Sequence, residues 1–255
     1  MNVLYERNVC TNSKGKGDSA GIHIDFNCRD IIVQRNLSSN NEGGFMEVLG
    51  KNYNCAYQYN VSINDGSRIK GVEGAVHEGK VLMVSGHCMK LPFGPFNSSY
   101  YNNTVYADDS ISPKLAIIGS AEGLLIANNI LQLNKSAETV EDDQPSAKPD
   151  KKKNAAKAKN VVFKNNICPS RSTLPASIGI TDSGMIIADP QYTNPRGKLP
   201  ADYLPRNKAV IKDQGIVVEK LPSDEVGLQG GLQVDEDFFG NPIIGRPDIG
   251  AIEIN

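Results

Sequence analysis

Ile32-Val33-Gln34-Arg35-Asn36-Leu37-Ser38-Ser39-Asn40 is the stretch that decides the fold, because the same frame returns along the chain. A short apolar strand is followed by an asparagine and then by a second short strand. Related copies run over Val3 to Asn12, Ala56 to Asn64, Tyr100 to Tyr106, Leu125 to Leu131 and Val162 to Cys168. A unit that cannot bury its apolar side alone must stack on its neighbours, so this repeat predicts a parallel β-solenoid.

The spacing of the central asparagines supports one copy per turn. These asparagines are Asn8, Asn36, Asn60, Asn103, Asn129 and Asn166. Two intervals are longer and contain insertions, at residues 66–79 and 135–159. Asparagine tolerates a left-handed backbone, and its amide can bond to the same amide one turn away. We therefore expect a right-handed parallel β-helix of about six turns, with these asparagines at one corner.

The chain divides into two parts of one domain. Residues 1–169 are predicted to form the β-helix turns, and residues 170–255 the final turn or turns and a C-terminal cap. Proline and glycine punctuate this tail, and a cap would protect the open end of the stack. Residues 135–159 are rich in alanine, lysine, acidic residues and proline, so we predict a disordered insertion there.

The amino-acid composition limits the classes of function that the protein can have. The formal net charge of −2 gives no reason to expect nucleic acid or an anionic membrane as a partner. Five cysteines cannot pair completely, and Cys10 and Cys168 follow their asparagines at the same offset. Both are predicted to be small apolar residues in the solenoid interior. No apolar run approaches the roughly 18 residues of a membrane span, and no signal peptide is recognised.

The candidate chemistry lies in Gly17-Asp18-Ser19-Ala20-Gly21-Ile22-His23-Ile24-Asp25-Phe26-Asn27-Cys28. Its second half alternates apolar and polar residues, which is typical of a strand with one buried face. His23 and Asp25 would point away from that face, and Ile22, Ile24 and Phe26 towards it. Glycines before and within the stretch allow the chain to fold back, so that Asp18 can approach Asp25. Two carboxyl groups about 5 Å apart suit a retaining glycosidase, and about 6.5–9.5 Å an inverting one.

A turn of 24 residues would place His23 beside Glu47 on adjacent strands. Glu47 would then share a face with His23 and Asp25. There it would bind sugar hydroxyls, raise the pKa of a neighbouring carboxyl, or pair with His23. Further candidates for lining the same groove are Arg29, Tyr57, Tyr59 and His87.

At this point the chain resembles a known family. Its asparagine-centred turns, with the ending Asp189-Pro190-Gln191-Tyr192 … Asp248-Ile249-Gly250-Ala251-Ile252-Glu253, are similar to the pectin-lyase-like parallel β-helix proteins, many of which are secreted by bacteria. The spacing of Asp18 and Asp25 resembles glycoside hydrolase family 136, the lacto-N-biosidases. Their two catalytic aspartates lie seven residues apart on a β-helix.

The resemblance implies a retaining hydrolase that releases lacto-N-biose, with Asp18 as acid/base, Asp25 as nucleophile, and no metal or cofactor. It implies an extracellular or cell-surface location for the assembled protein. Some members consist of two polypeptides. A second subunit, or an N-terminal region, is therefore expected to cover the open end of the β-helix at Val3.

Other functions stay open at this stage. A polysaccharide lyase would need a lysine or arginine base, and calcium or positive groups to neutralise a uronate. A calcium site built from Asp18, Asp25 and Glu47 is one such option. A carbohydrate-binding or accessory β-helix subunit is the non-enzymatic option, in which Asp18 is a turn residue and Asp25 a solvated strand position.

Overall fold

The computed structural model describes residues 3–88, 93–118, 120–139, 158–174, 181–218 and 234–254. Nineteen strands in these ranges, numbered in chain order, form three sheets in which every paired strand runs parallel to its neighbour. Successive strands along the chain belong to different sheets, and each sheet is extended by one strand per turn. The predicted parallel β-helix is therefore confirmed.

The first sheet contains β1 (Val3–Glu6), β4 (Ile31–Gln34), β7 (Ala56–Gln58), β10 (Phe96–Tyr101), β13 (Glu122–Ala127), β16 (Lys159–Lys164) and β18 (Thr181–Ser183). The second sheet contains β2 (Val9–Thr11), β5 (Leu37–Ser39), β8 (Val61–Ile63), β11 (Thr104–Ala107), β14 (Ile130–Leu133), β17 (Ile167–Cys168) and β19 (Ile186–Ile187). The third sheet contains β3 (Ala20–Ile24), β6 (Gly44–Val48), β9 (Lys80–Ser85), β12 (Lys114–Ile118) and β15 (Glu138–Thr139).

Helical segments are short and lie outside the sheets. They are the 3-10 turns Val72–Gly74, Arg171–Thr173 and Pro200–Tyr203 and the α-helix α1 (Lys208–Ile211). In the part of the chain that the structure describes, none is long and apolar enough to cross a membrane. Strands β18 and β19 add a turn beyond the six predicted from the repeat, because that last turn has no asparagine of the repeat type to reveal it.

The predicted asparagine ladder joins the first and second sheets. Asn36 shows its pattern, since Asn36 Oδ1 accepts hydrogen bonds from the backbone N and the Nδ2 of Asn8, at 2.9 and 3.0 Å. Asn36 in turn donates to Asn60 Oδ1 in the same way. The chain of amide bonds continues through Asn103 and Asn129 to Asn166. Each turn is thereby tied to the next by a buried polar network.

The left-handed backbone of this corner lies one residue earlier than the sequence suggested. The residue before each ladder asparagine has positive φ, including Arg35 at 54° and Tyr59 at 51°. In three turns that residue is Asn102, Asn128 or Asn165, and these form a second amide ladder. The ladder asparagine itself therefore does not adopt the left-handed conformation. Its side chain instead forms the hydrogen bonds that join one turn to the next.

The interior is filled by side chains stacked in register. Val33, Tyr57, Tyr100, Ile126 and Phe163 occupy equivalent positions of the first sheet and are buried. The rings of Tyr57 and Tyr100 stack with centroids 5.7 Å apart. The predictions for the two cysteines agree with this core, since Cys168 is fully buried and Cys10 packs against the same cluster.

The C-terminal tail packs along the side of the β-helix. Its residues Ile249, Ala251 and Ile252 form one buried cluster with Val61 and Ile130 of the second sheet. Its backbone accepts hydrogen bonds from the second amide ladder: Asp248 O from Asn102, Ile216 O from Asn128 and Gln214 O from Asn165. Glu236 reaches the first two turns, where it pairs with Arg7 and Arg35. The predicted cap is thus a lateral cover for the apolar column of the second sheet.

Most of the predicted disordered insertion, residues 140–157, lies outside the described residues. Both of its flanks belong to the β-helix. Ala137 is buried in the interior core, β15 pairs with β12, and β16 begins at Lys159. Regular structure therefore extends into the two ends of the segment.

Candidate functional site

Strands β3 and β6 pair in the register that the sequence predicted. His23 lies opposite Glu47, and Ile24 lies opposite Val48. Ile22 and Ile24 are buried, whereas His23 is only half-buried. The predicted register is correct because this turn is 24 residues long. A register shifted by one residue would have placed every side chain on the opposite face of the sheet.

A charged cleft lies beside the third sheet, near the first residues of β3, β6 and β9. Three acidic residues line it, together with two basic residues, a histidine and two methionines. The lining residues are Asp18, Ala20, Gly43, Met46, Glu47, Arg68, His77, Glu78, Lys80 and Met83. They come from three consecutive turns and from the insertion at residues 66–79. Convergent ionisable groups beside an apolar wall are typical of a ligand site.

Asp18 reaches the cleft from the loop between β2 and β3. Its side chain is exposed, and its backbone carbonyl accepts a hydrogen bond from Arg68 Nη1. The next residue, Ser19, has a φ of 97° and its carbonyl accepts from Gly43 N at 2.9 Å. A side chain at Gly43 would collide with Ser19, since a Cβ there would lie 2.4 Å from its carbonyl carbon. Glycine at position 43 thus lets the Asp18 loop lie directly on the neighbouring turn.

Glu47 lies in the middle of β6, with a side chain that is 14% exposed. Its Oε1 is 3.9 Å from Nε2 of His23, which is an ion-pair distance but too long for a hydrogen bond. Nε2 of His23 is itself buried and has no hydrogen-bond partner within the described residues. The backbone carbonyl of Glu47 accepts from Tyr57 Oη at 3.2 Å, which fixes this part of the strand to the core.

Asp25 follows the last residue of β3, whereas Asp18 precedes the first, so this extended strand separates the two side chains and the expected approach of Asp18 to Asp25 does not occur. Asp25 is not among the residues that line the cleft. It is exposed, and its Oδ1 accepts a hydrogen bond from the backbone N of Phe26 at 2.7 Å. Phe26 is 37% exposed, so the prediction that it continues the buried face is wrong. The reason is that the strand ends at Ile24, and Asn27, with a φ of 67°, turns the chain.

The predicted groove-lining tyrosines belong to the core. Tyr57 is completely buried, and its hydroxyl donates to the carbonyls of Ile22 and Glu47. Tyr59 is buried against Tyr101 and the C-terminal tail. Burial raises the pKa of both phenols, so both stay neutral and act as packing residues. Tyr57 points into the interior of the β-helix, whereas Tyr59 packs on its outer side under the C-terminal tail, and the sequence pattern specifies neither direction.

Arg29 and His87 lie outside the cleft lining as well. Arg29 is exposed, with its guanidinium carbon 4.7 Å above the ring of Tyr53. Tyr53 continues this stack to Phe96, with ring centroids 4.9 Å apart. His87 is half-buried, and its backbone carbonyl accepts from Gly50 N at 2.8 Å. These two residues therefore stabilise the corner between the third and first sheets.

No metal site accompanies the cleft. Over the ranges that the structure describes, no three histidine, cysteine or acidic side chains form a group able to hold a metal ion. Asp18, Asp25 and Glu47 therefore do not assemble the calcium site considered from the sequence.

Four cleft residues were missed from the sequence: Arg68, His77, Glu78 and Lys80. All four lie in or directly after the insertion between β8 and β9. The signal was available, because an insertion that leaves after β8 and re-enters at β9 must lie beside the start of the third sheet. The prediction treated it only as a break in the spacing.

The fold and the cleft together define a parallel β-helix protein with a charged lateral cleft. Comparison with known proteins adds no closer assignment, since no family model matches the chain and no curated protein is significantly similar to it.

Proposed function

We propose that the protein is a glycoside hydrolase that cleaves an oligosaccharide in the cleft beside the third sheet. The observation that carries the proposal is the position of Asp18. This carboxyl lines a cleft that also contains Glu47 and Glu78, on a rigid scaffold. Paired carboxyl groups beside an open groove are the requirement for glycoside hydrolysis.

In this mechanism Asp18 is the general acid. It donates its proton to the leaving glycosidic oxygen while a carboxylate attacks the anomeric carbon, and it then removes a proton from the water that hydrolyses the intermediate. The resemblance to the lacto-N-biosidases supports lacto-N-tetraose as the substrate and implies Asp25 as the nucleophile, but Asp25 follows the far end of β3 and lies outside the cleft lining. Glu47, which lines the cleft together with Asp18, is therefore the proposed nucleophile. This chemistry needs no metal or cofactor.

The kinetic test compares Asp18→Asn, Asp25→Asn and Glu47→Gln in the assembled protein, with lacto-N-tetraose as substrate. Asp18→Asn and Glu47→Gln should each lower kcat by a factor of about 1,000 or more, because each removes a group that reacts. Asp25→Asn should change kcat little, because Asp25 lies outside the cleft lining. Asp109→Asn is the control, since Asp109 is exposed and lies outside the cleft lining.

Two outcomes would contradict the proposal. Turnover by Asp18→Asn close to that of the wild type would remove Asp18 from the reaction. An inactive Asp25→Asn variant beside an active Glu47→Gln variant would transfer the nucleophile to Asp25.

A polysaccharide lyase is the second candidate, and one observation favours it. The cleft contains Arg68 and Lys80, which the lyase reaction would use to neutralise a uronate. Against it, the guanidinium of Arg68 is engaged by backbone carbonyls, and Lys80 is only 5% exposed. Formation of an unsaturated uronate, detected by its ultraviolet absorbance, would select the lyase.

We also propose that a second polypeptide covers the first turn of the β-helix, at the surface or outside of the cell. Strands β1, β2 and β3 each form the free edge of a sheet. Val3, Leu4 and Val9 on that turn are 42%, 52% and 69% exposed. An apolar open edge of this kind favours pairing with a further parallel turn.

A further inference from the structure

Arg68 lines the cleft and donates three hydrogen bonds to backbone carbonyls. It lies in the insertion at residues 66–79 and is 7% exposed. Its Nε donates to the carbonyl of His77 at 2.9 Å, and its Nη1 donates to the carbonyls of Gly15, at 3.1 Å, and Asp18. One guanidinium therefore joins two loops that belong to different turns of the β-helix.

The Asp18 loop is also attached to neighbouring turns by backbone bonds. Val76 N donates to the carbonyl of Lys16 at 2.7 Å, and Gly43 N donates to that of Ser19 at 2.9 Å. Gly15 and Gly17 make this segment conformationally permissive. The bond from Arg68 Nη1 acts directly on the Asp18 carbonyl, so its loss would loosen the residue that carries the carboxyl.

The charge of Arg68 is maintained although the residue is largely buried. Burial lowers the pKa of the guanidinium, and Glu42, Glu47, Asp18 and Glu78 oppose that effect. An arginine side chain remains protonated under these conditions. A fixed positive charge thus lies beside the backbone of Asp18.

We propose that Arg68 is a positioning residue, which holds the Asp18 carboxyl in the cleft by joining its loop to the insertion that carries His77 and Glu78. This inference rests on the proposed function. It goes beyond it because Arg68 itself does not touch the reacting bond. Holding a reacting group in place is worth much in catalysis, since a displacement of about 1 Å can cost a factor of about 100 in rate.

The test uses Arg68→Lys and Arg68→Gln in the assembled protein. Arg68→Lys keeps the charge, but its single ammonium lacks the planar fork that reaches the His77 carbonyl on one side and those of Gly15 and Asp18 on the other. We therefore expect kcat to fall about 10- to 100-fold with KM little changed. Arg68→Gln also removes the charge, and its kcat should fall at least as far, again with KM little changed.

Arg29→Lys is the matched control, because Arg29 stacks on Tyr53 outside the cleft lining. All assays are made below the melting temperature measured for each variant by circular dichroism. Should Arg68→Lys fail to fold, Arg68→Gln alone decides through its kcat and KM. Wild-type kcat in the folded variants, or a loss confined to KM, would overturn the role of Arg68. An inactive wild-type assembly would instead refute the proposed function.

Discussion

Asp65 shows how a single buried carboxyl completes the polar corner between the second and third sheets. The residue is 1% exposed, and its Oδ1 accepts from the backbone N and the Nδ2 of Asn41 at 2.9 and 3.0 Å. Its Oδ2 accepts from Ser62 Oγ at 2.7 Å. Burial raises the pKa of Asp65 to about 7, and these hydrogen bonds oppose that effect.

The raised pKa makes the free energy of unfolding depend on pH. Between pH about 4 and pH about 7 the folded protein retains a proton on Asp65 that the unfolded chain releases. Stability therefore falls as pH rises through this window, by up to about 1.4 kcal/mol per pH unit. The substitution Asp65→Asn keeps an acceptor for Asn41 and removes the titration. We expect it to flatten the pH dependence and to be at least as stable as the wild type at neutral pH.

Urea unfolding of both proteins at several pH values measures this effect. Glu253, whose pKa burial also raises to about 7, titrates in both proteins, so the difference between them isolates Asp65. Identical slopes in wild type and Asp65→Asn would show that Asp65 does not titrate in this window.

At the scale of elements, the asparagine ladder holds consecutive turns together. Asn60 is fully buried, its Oδ1 accepts two bonds from Asn36, and its Nδ2 donates to Asn103 Oδ1 and to the carbonyl of Val33. Asn60→Ala leaves these buried groups unpaired, so we expect a loss of about 2–4 kcal/mol in the free energy of unfolding.

The matched control is Asn8→Ala, at the free end of the same ladder. Asn8 is only half-buried, and no donor from a preceding turn reaches its Oδ1 in the described chain. Its removal should cost less than about 1 kcal/mol. Equal losses for the two variants, measured by denaturant unfolding, would argue against a ladder that stabilises through buried amides.

The turns could be predicted from the sequence because the repeat reflects what each turn physically requires. Asn36 and Asn60 must pair, and Ile22 and Ile24 must face the core, so both the corner and the register of β3 on β6 were predictable. Features that depend on the path of the chain between turns could not be predicted. Arg68 enters the cleft through an irregular insertion, and the inward direction of Tyr57 depends on the cross-section of the turn.

At the scale of the whole molecule, the described residues form a β-helix that is covered on its side and has exposed apolar side chains on its first turn. The tail buries the apolar column of the second sheet, whereas Val3, Leu4 and Val9 remain exposed. We expect the first turn to pair with a further polypeptide, and Val9→Lys to weaken this association by placing a charge on the edge. Light scattering and hydrogen exchange of β1 and β2, with and without the partner, measure it. Unchanged association and exchange in the variant would contradict this role of the edge.

The most direct measurement of the central claim is azide rescue of Asp18→Ala in the assembled protein, with an aryl glycoside that needs no acid to depart. Azide attacks the anomeric carbon of the covalent intermediate without a general base, and the bond to the nucleophilic carboxylate breaks. If Asp18 is the acid/base of a retaining hydrolase, azide restores turnover and yields a glycosyl azide with the configuration of the substrate. Absence of rescue in a folded variant, or an azide product of inverted configuration, would contradict the account.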